Sequence, residues 1–148
     1  MADFHTGHVG LNVSDLARSS SFYRDLLGLE TKLESQEKGR RFALLGRGND
    51  IVLTLWEQAK AGFSPSGAGL HHLSFRAESM DQVRRAEKEL RARGVEFAYE
   101  GIVPHAEGTP SGGIFFRDPD GIRLEFFAPA GAEGEPAPVQ GAPSCGFF

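Results

Sequence analysis

Two histidines and one glutamate have the residue types and the spacing of a metal site. His8 and His72 each open a short alternating segment that runs into a helix start, and Glu125 lies in the later apolar segment 123–127. Two imidazoles and one carboxylate leave coordination positions open, which is typical of catalytic rather than structural metal sites. The sequence therefore predicts a catalytic divalent metal with His8, His72 and Glu125 as its ligands.

A lone histidine in a strand is more often a hydrogen-bonded structural residue than a ligand. Two observations favour the metal interpretation. His8 and His72 occupy corresponding places in two copies of one pattern, and Glu125 stands between Leu124 and Phe126 in a strand that otherwise has core composition. An unpaired carboxylate is costly there, and a bound cation would remove that cost.

The pattern of strands and helices is repeated along the chain. Each copy starts with a strand and continues into an amphipathic helix, with Ser14 or Asp15 as the first cap and Ser79 as the second. Glycines end the two helices at Gly28 and Gly94. The strands are expected near 9–13, 29–35, 41–46 and 51–57 in the first copy, and near 71–77, 95–100, 113–117 and 122–128 in the second.

This order predicts an α+β fold of two βαβββ modules that form a cupped mixed sheet. We expect the first module at 1–60, a linker rich in Gly, Ser and Pro at 61–70, and the second module at 71–128. A half-module of about 60 residues buries little surface, so two must share a core within one chain or across a dimer. Residues 129–148 are expected to be a mobile tail, from which the terminal phenylalanines could still pack somewhere.

Composition excludes several classes of function. The 148 residues carry a formal net charge of −4, and such an acidic balance argues against binding to nucleic acid. No run of about 18 apolar residues predicts a membrane span, and the N-terminus lacks the pattern of a signal peptide. Cys145 is the only cysteine, so no disulfide framework is expected. These features indicate a cytoplasmic protein whose partner is a small molecule.

The segment 101–113 is long and rich in glycine. It is interpreted either as an exposed connector or as a lid that closes over a bound substrate. His105 and Glu107 lie within it and are the candidates for acid–base catalysis.

With these residues in place, the chain resembles the vicinal oxygen chelate superfamily, which includes glyoxalase I, bleomycin-resistance, fosfomycin-resistance and extradiol dioxygenase proteins. The resemblance covers about residues 5–128, and the matching motifs are His8–Asp15, Phe22–Gly28, His72–Phe75 and Phe116–Glu125. It implies paired modules around a cupped cleft and a divalent metal that grips two adjacent oxygens of a substrate. By this likeness, the predicted ligands match the family's ligand positions.

The predicted site residues differ from those of some enzymes of this family, and these differences reduce the number of reactions expected of the chain. Glyoxalase I-like enzymes carry a fourth ligand, usually Glu, in the last strand of the first module. Alignment of the repeats places Thr54 there, and a one-step shift places Val52 there. Neither is a carboxylate, which argues against glyoxalase I activity. Extradiol dioxygenases and fosfomycin thiol transferases use a His, His, Glu site like this one. The dioxygenases add a loop histidine, matched here by His105, and a strand tyrosine, replaced here by Phe115 and Phe116. The basic and potassium-site residues expected of a phosphonate-binding enzyme are not recognisable, which argues against fosfomycin as the substrate.

Two functions follow as hypotheses. The first is an enzyme that uses Fe, Mn, Ni or Zn for oxygenation, isomerisation, lyase chemistry or addition on a substrate with vicinal oxygens. The second is a binding protein of the bleomycin-resistance kind, which sequesters a small molecule without chemistry. Both are expected to be homodimers, and the candidate pocket residues are Phe42, Thr54, Trp56 and Phe115. In the binding protein, Phe97, Tyr99 and Phe127 would join the rings of this set in an aromatic pocket, and the alternative is that most of these rings belong to the core.

Overall fold

The computed structural model describes residues 2–148, which divide between Phe63 and Ser64 into two compact units. Each unit contains one four-stranded mixed sheet and one long helix. This confirms the predicted α+β class and the βαβββ order of each copy. No helix within residues 2–148 is both long enough and apolar enough to cross a membrane.

The first unit forms its sheet in the order β1-β4-β3-β2, with β1 parallel to β4. Its elements are β1 (Val9–Val13), α1 (Leu16–Leu27), β2 (Glu30–Ser35), β3 (Phe42–Arg47) and β4 (Asp50–Glu57). Asp15 caps α1 by accepting a hydrogen bond from the backbone N–H of Arg18 at 2.9 Å. Gly28 ends the helix in the left-handed conformation, with a φ of 63°.

The second unit repeats this topology in the order β5-β8-β7-β6, with β5 parallel to β8. Its elements are β5 (Leu73–Arg76), α2 (Met80–Ala92), β6 (Val103–Pro104), β7 (Gly112–Arg117), β8 (Arg123–Ala128) and a short 3-10 helix at Ser144–Gly146. Ser79 caps α2 by accepting a hydrogen bond from the backbone N–H of Gln82, as its sequence predicts.

The strand predicted near 95–100 is wrong. This stretch pairs with β7 through a single bridge, Phe97 to Phe116, and the fourth strand is instead the two-residue β6. Gly94 and Gly101 have φ values of 71° and 70° and turn the chain on both sides of the bridge. Pro104 has no N–H to donate, which limits the extension of β6.

The two sheets place their candidate residues at equivalent positions. Gly10 in β1 pairs with Thr54 in β4, and Ser74 in β5 pairs with Glu125 in β8. Thr54 therefore occupies in the first unit the place that Glu125 holds in the second. The strand registers and the sequence repeat both match Thr54 with Glu125.

The turn before β8 is fixed by one buried side chain. Asp118 is 5% exposed, and its Oδ1 accepts hydrogen bonds from the N–H groups of Asp120 and Ile122, each at 2.8 Å. Asp118→Ala should lower the free energy of unfolding by about 1–3 kcal/mol, because it leaves the buried N–H of Ile122 without an acceptor. Urea denaturation measures the loss. Asp118→Asn keeps the acceptor oxygen, so an equal loss in both variants would contradict this account.

Candidate active site

The second unit brings two imidazoles to one buried carboxylate. Glu125 lies in β8, an inner strand of its sheet, and is 2% exposed. Its Oε2 lies 3.6 Å from Nε2 of His72, which directly precedes β5. Its Oε1 is hydrogen-bonded to Nε2 of His105, from the segment next to β6. Of the candidate residues, the structure therefore brings His72, His105 and Glu125 together.

His105 is held in place on several sides. Its Nδ1 lies 2.9 Å from Oγ of Ser111, and its backbone N–H donates to the Ser111 carbonyl, also at 2.9 Å. The ring packs against Phe127, with centroids 5.2 Å apart. An ionised Glu125 only accepts hydrogen bonds, so the proton of a neutral His105 belongs on Nε2 in this arrangement. Sequence reasoning identified His105 but missed Ser111, which no local pattern marks.

The environment of His72 favours its neutral form. Burial lowers the pKa of His72, the carboxylate of Glu125 opposes that shift, and the positive charges of His71, Arg123 and His105 add to it. Its Nδ1 lies 2.9 Å from Nδ1 of His71, which leaves Nε2 facing Glu125. Neutral imidazole is the form that binds metals.

The donor chemistry of this pair fits a divalent cation. The 3.6 Å between His72 Nε2 and Glu125 Oε2 is too long for a good hydrogen bond. It is close to the separation of two donors that each lie about 2.0–2.2 Å from one ion. Across residues 2–148, however, no three His, Cys, Asp or Glu side chains are grouped so that they could hold a metal. In the second unit, Oε1 of Glu125 is engaged by His105 instead.

Two other candidates are not part of this contact. His8 belongs to the first unit, where it is exposed and directly precedes β1. Glu107 is exposed within the segment that carries His105. The predicted roles of His8 as a ligand and of Glu107 in proton transfer stay predictions.

Three predicted pocket residues lie together in the first unit. The indole Nε1 of Trp56 donates to Oγ1 of Thr54 at 3.0 Å, and the rings of Phe42 and Trp56 are 5.3 Å apart. Gly10 leaves room for this pair, because a Cβ there would lie 3.2 Å from Oγ1 of Thr54. Phe42 and Trp56 also line a pocket of about 260 Å³, together with Gly39, Arg40, Arg41, Glu57 and Gln58.

Phe115 belongs to the second unit and has no exposed surface. Its ring contacts Tyr99, with centroids 5.4 Å apart, and Phe148, with centroids 4.9 Å apart. Part of the segment 129–148 therefore packs on this unit, although its predicted mobility stays a prediction. Sequence analysis did not identify the partners of the terminal phenylalanines, because those partners are distant in the chain.

Ser144 fixes the C-terminal segment beside His105. The residue is fully buried, and its hydroxyl donates to the carbonyl of Pro104 at 2.6 Å. Its backbone N–H donates to the carbonyl of His105 at 2.8 Å, and its carbonyl accepts from the hydroxyl of Tyr99 at 2.8 Å. Sequence reasoning missed Ser144, since all of these partners are distant in the chain.

Cys145 should react slowly in the folded protein. Burial, and then the carboxylate of Glu125, raise the pKa of its thiol. A raised pKa leaves less thiolate at a given pH, and the thiolate is the reactive form. At pH 8, alkylation by iodoacetamide, followed by mass spectrometry, should be slower than in the same protein unfolded with guanidinium. Equal rates would contradict this prediction.

The chain belongs to the Glyoxalase/Bleomycin resistance protein/Dioxygenase superfamily, whose family model matches residues 5–126. It is 32% identical to the Bacillus subtilis (strain 168) protein YqjT over 83% of this chain and 98% of that protein. It is 29% identical to a manganese-dependent 2,3-dihydroxybiphenyl 1,2-dioxygenase from Geobacillus genomosp. 3, over 82% of this chain and 35% of the dioxygenase.

The fold is also similar to that of solved structures. A crystal structure of a glyoxylase/bleomycin resistance protein/dioxygenase domain from Frankia sp. EAN1pec matches with a TM-score of 0.72 and 27% identity. The match covers 90% of this chain and 96% of that domain. The family model and the solved structure therefore both confirm the resemblance to the vicinal oxygen chelate superfamily.

Proposed function

We propose that this protein is a divalent-metal-dependent enzyme that acts on a small substrate with two adjacent oxygens. The observation that carries the proposal is the buried carboxylate of Glu125, which faces Nε2 of His72 across 3.6 Å. We assign these two residues as metal ligands, with His8 as the third ligand that the sequence predicts. The superfamily includes dioxygenases, and one relative is a manganese-dependent dioxygenase.

When bound, the metal would supply a Lewis acid that polarises the two substrate oxygens. The protein contributes the ligands and the electrostatic environment of the metal. Glu125 provides a negative charge in a buried position, where electrostatic interactions are stronger than in water. The lowered pKa of His72 keeps its imidazole neutral and available. Iron, manganese, nickel and zinc all fit such a donor set.

His105 is the proposed carrier of a proton. With its proton on Nε2, the ring donates to Glu125. With its proton on Nδ1, the ring donates to Ser111, and Nε2 can accept a proton from a substrate hydroxyl that takes the place of Glu125 at this nitrogen. Ser111 thus keeps the ring oriented in both forms.

The test is turnover of a chelating aromatic diol. Protein loaded with Fe²⁺ or Mn²⁺ would be mixed with catechol in air, with oxygen uptake and the ring-opened product followed together. Oxygen uptake that is lost in Glu125→Gln and reduced in His105→Asn would support dioxygenase chemistry. Binding of catechol without oxygen uptake would direct the search to isomerase or lyase substrates. Failure of the metal-loaded protein to bind any oxygen-chelating probe would refute the proposal.

The second candidate is sequestration of a small molecule, as in bleomycin-resistance proteins. It is favoured by the aromatic pair of the half-buried Phe42 and the exposed Trp56 at the 260 Å³ pocket. Trp56 is the only tryptophan, so its fluorescence reports on that pocket alone. Quenching by bleomycin that is unchanged in His72→Ala would favour sequestration over metal chemistry.

We further propose that the protein works as a homodimer. Each sheet has two edge strands, β1 and β2 in one and β5 and β6 in the other. Open edges are commonly covered in native proteins, and twofold dimers are the commonest assemblies. Light scattering would distinguish a dimer from the 16.1 kDa monomer.

A further inference from the structure

The side chain of Phe148 lies against the candidate site. Its ring centroid is 5.7 Å from that of His72 and 4.9 Å from that of Phe115. The guanidinium carbon of Arg123 lies 5.8 Å from the same ring. The half-buried ring of Phe148 therefore contacts His72, a proposed metal ligand, as well as Phe115 and Arg123.

The position of Phe115 shows which surface this ring covers. Phe115 in β7 pairs directly with Glu125 in β8, so the two side chains point to the same face of the sheet. A ligand held at Glu125 would meet Phe115 on that face, yet Phe115 is fully buried. Phe148 thus lies where a ligand ring would otherwise contact Phe115.

The C-terminal segment is attached firmly at one end and loosely at the other. Ser144 is anchored by hydrogen bonds to Pro104, His105 and Tyr99. Beyond it, Phe147 is 66% exposed, and its carbonyl accepts from Tyr99 at a longer 3.2 Å. The side chain of Phe148 contacts aromatic rings and Arg123, and the ring of a ligand could make the same kinds of contact in its place.

We propose that residues 145–148 are an internal plug, in which Phe148 holds the place of the aromatic ring of the ligand. A ligand with an aromatic ring and adjacent hydroxyls displaces the plug, while Ser144 stays anchored. Arg123 suits such a ligand, because its charge can interact with a ring face and its buried Nε has no hydrogen-bond partner within residues 2–148. This inference rests on the proposed function and names its substrate class.

The first test measures catechol binding to the metal-loaded protein by calorimetry. Removing a competing ring raises the fraction of binding-competent protein, so Phe148→Ala should tighten the apparent Kd about fivefold. Phe147→Ala is the matched control, since it removes a neighbouring ring that is largely exposed, and it should leave the Kd unchanged. Unchanged or weaker binding in Phe148→Ala would overturn the plug, because the ring would then be a wall of the pocket or irrelevant to it.

The second test does not depend on the metal or on catalysis. Cys145 lies in the plug and is the only cysteine, so its alkylation by iodoacetamide reports on release of the segment. Phe148→Ala should react several-fold faster than wild type and than Phe147→Ala. Equal rates in all three would overturn the plug. If metal-loaded wild type binds no catechol, the proposed substrate fails, and these rates still decide whether Phe148 closes the segment.

Discussion

Glu125→Gln is expected to lower the affinity for divalent metal by more than about 100-fold. Loss of a residue that merely supports a ligand typically costs 10–100-fold, and loss of a charged ligand should cost more. Glutamine has nearly the shape of glutamate, so the buried site keeps its packing while the negative charge disappears. Competition with a chromophoric chelator measures the change in affinity.

Glu100→Gln is the matched control for this variant. Glu100 is an exposed carboxylate of the same unit, and its replacement should leave metal affinity unchanged. Circular dichroism would establish that both variants fold. Equal metal affinity in wild type and Glu125→Gln would contradict the assignment of Glu125 as a ligand.

Phe116→Ala is expected to lower the free energy of unfolding by about 3–5 kcal/mol. Phe116 is fully buried in β7, where its ring meets Phe126 at 5.0 Å and the bridge partner Phe97 at 6.1 Å. The truncated side chain would leave a cavity that the surrounding strands can fill only in part. Chemical denaturation measures the loss.

Phe147→Ala removes the same group from an exposed position. Its effect on the free energy of unfolding should stay within about 0.5 kcal/mol. Comparable losses in the two variants would mean that β7 is not the core strand described above.

The parts of the fold that depend on local chemistry could be predicted from the sequence. Asp15 and Ser79 cap helices through hydrogen bonds to residues only three positions away, and Gly28 ends α1 through its own backbone freedom. The correspondence of Thr54 with Glu125 follows from the repeat, because equivalent strands fold with equivalent registers.

The parts that depend on distant contacts could not be predicted. The bond between His105 and Glu125 joins the irregular segment before β7 to β8, and strand periodicity says nothing about such segments. The anchor at Ser144 needs the carbonyls of Pro104 and His105 at the right places, which only the folded unit provides. The missing strand near 95–100 has a different, local origin, because its alternation is compatible with a strand but the chain turns at Gly94 and Gly101 and pairs with β7 only at Phe97.

The most direct test of the account is the metal content of the protein purified without added metal. Elemental analysis would compare wild type with His8→Ala, His72→Ala and Glu125→Ala. We expect about one metal ion per chain in wild type and loss of that metal in the variants, because each variant lacks one proposed ligand. No metal in wild type, and no uptake when iron, manganese, nickel and zinc are each supplied, would contradict it.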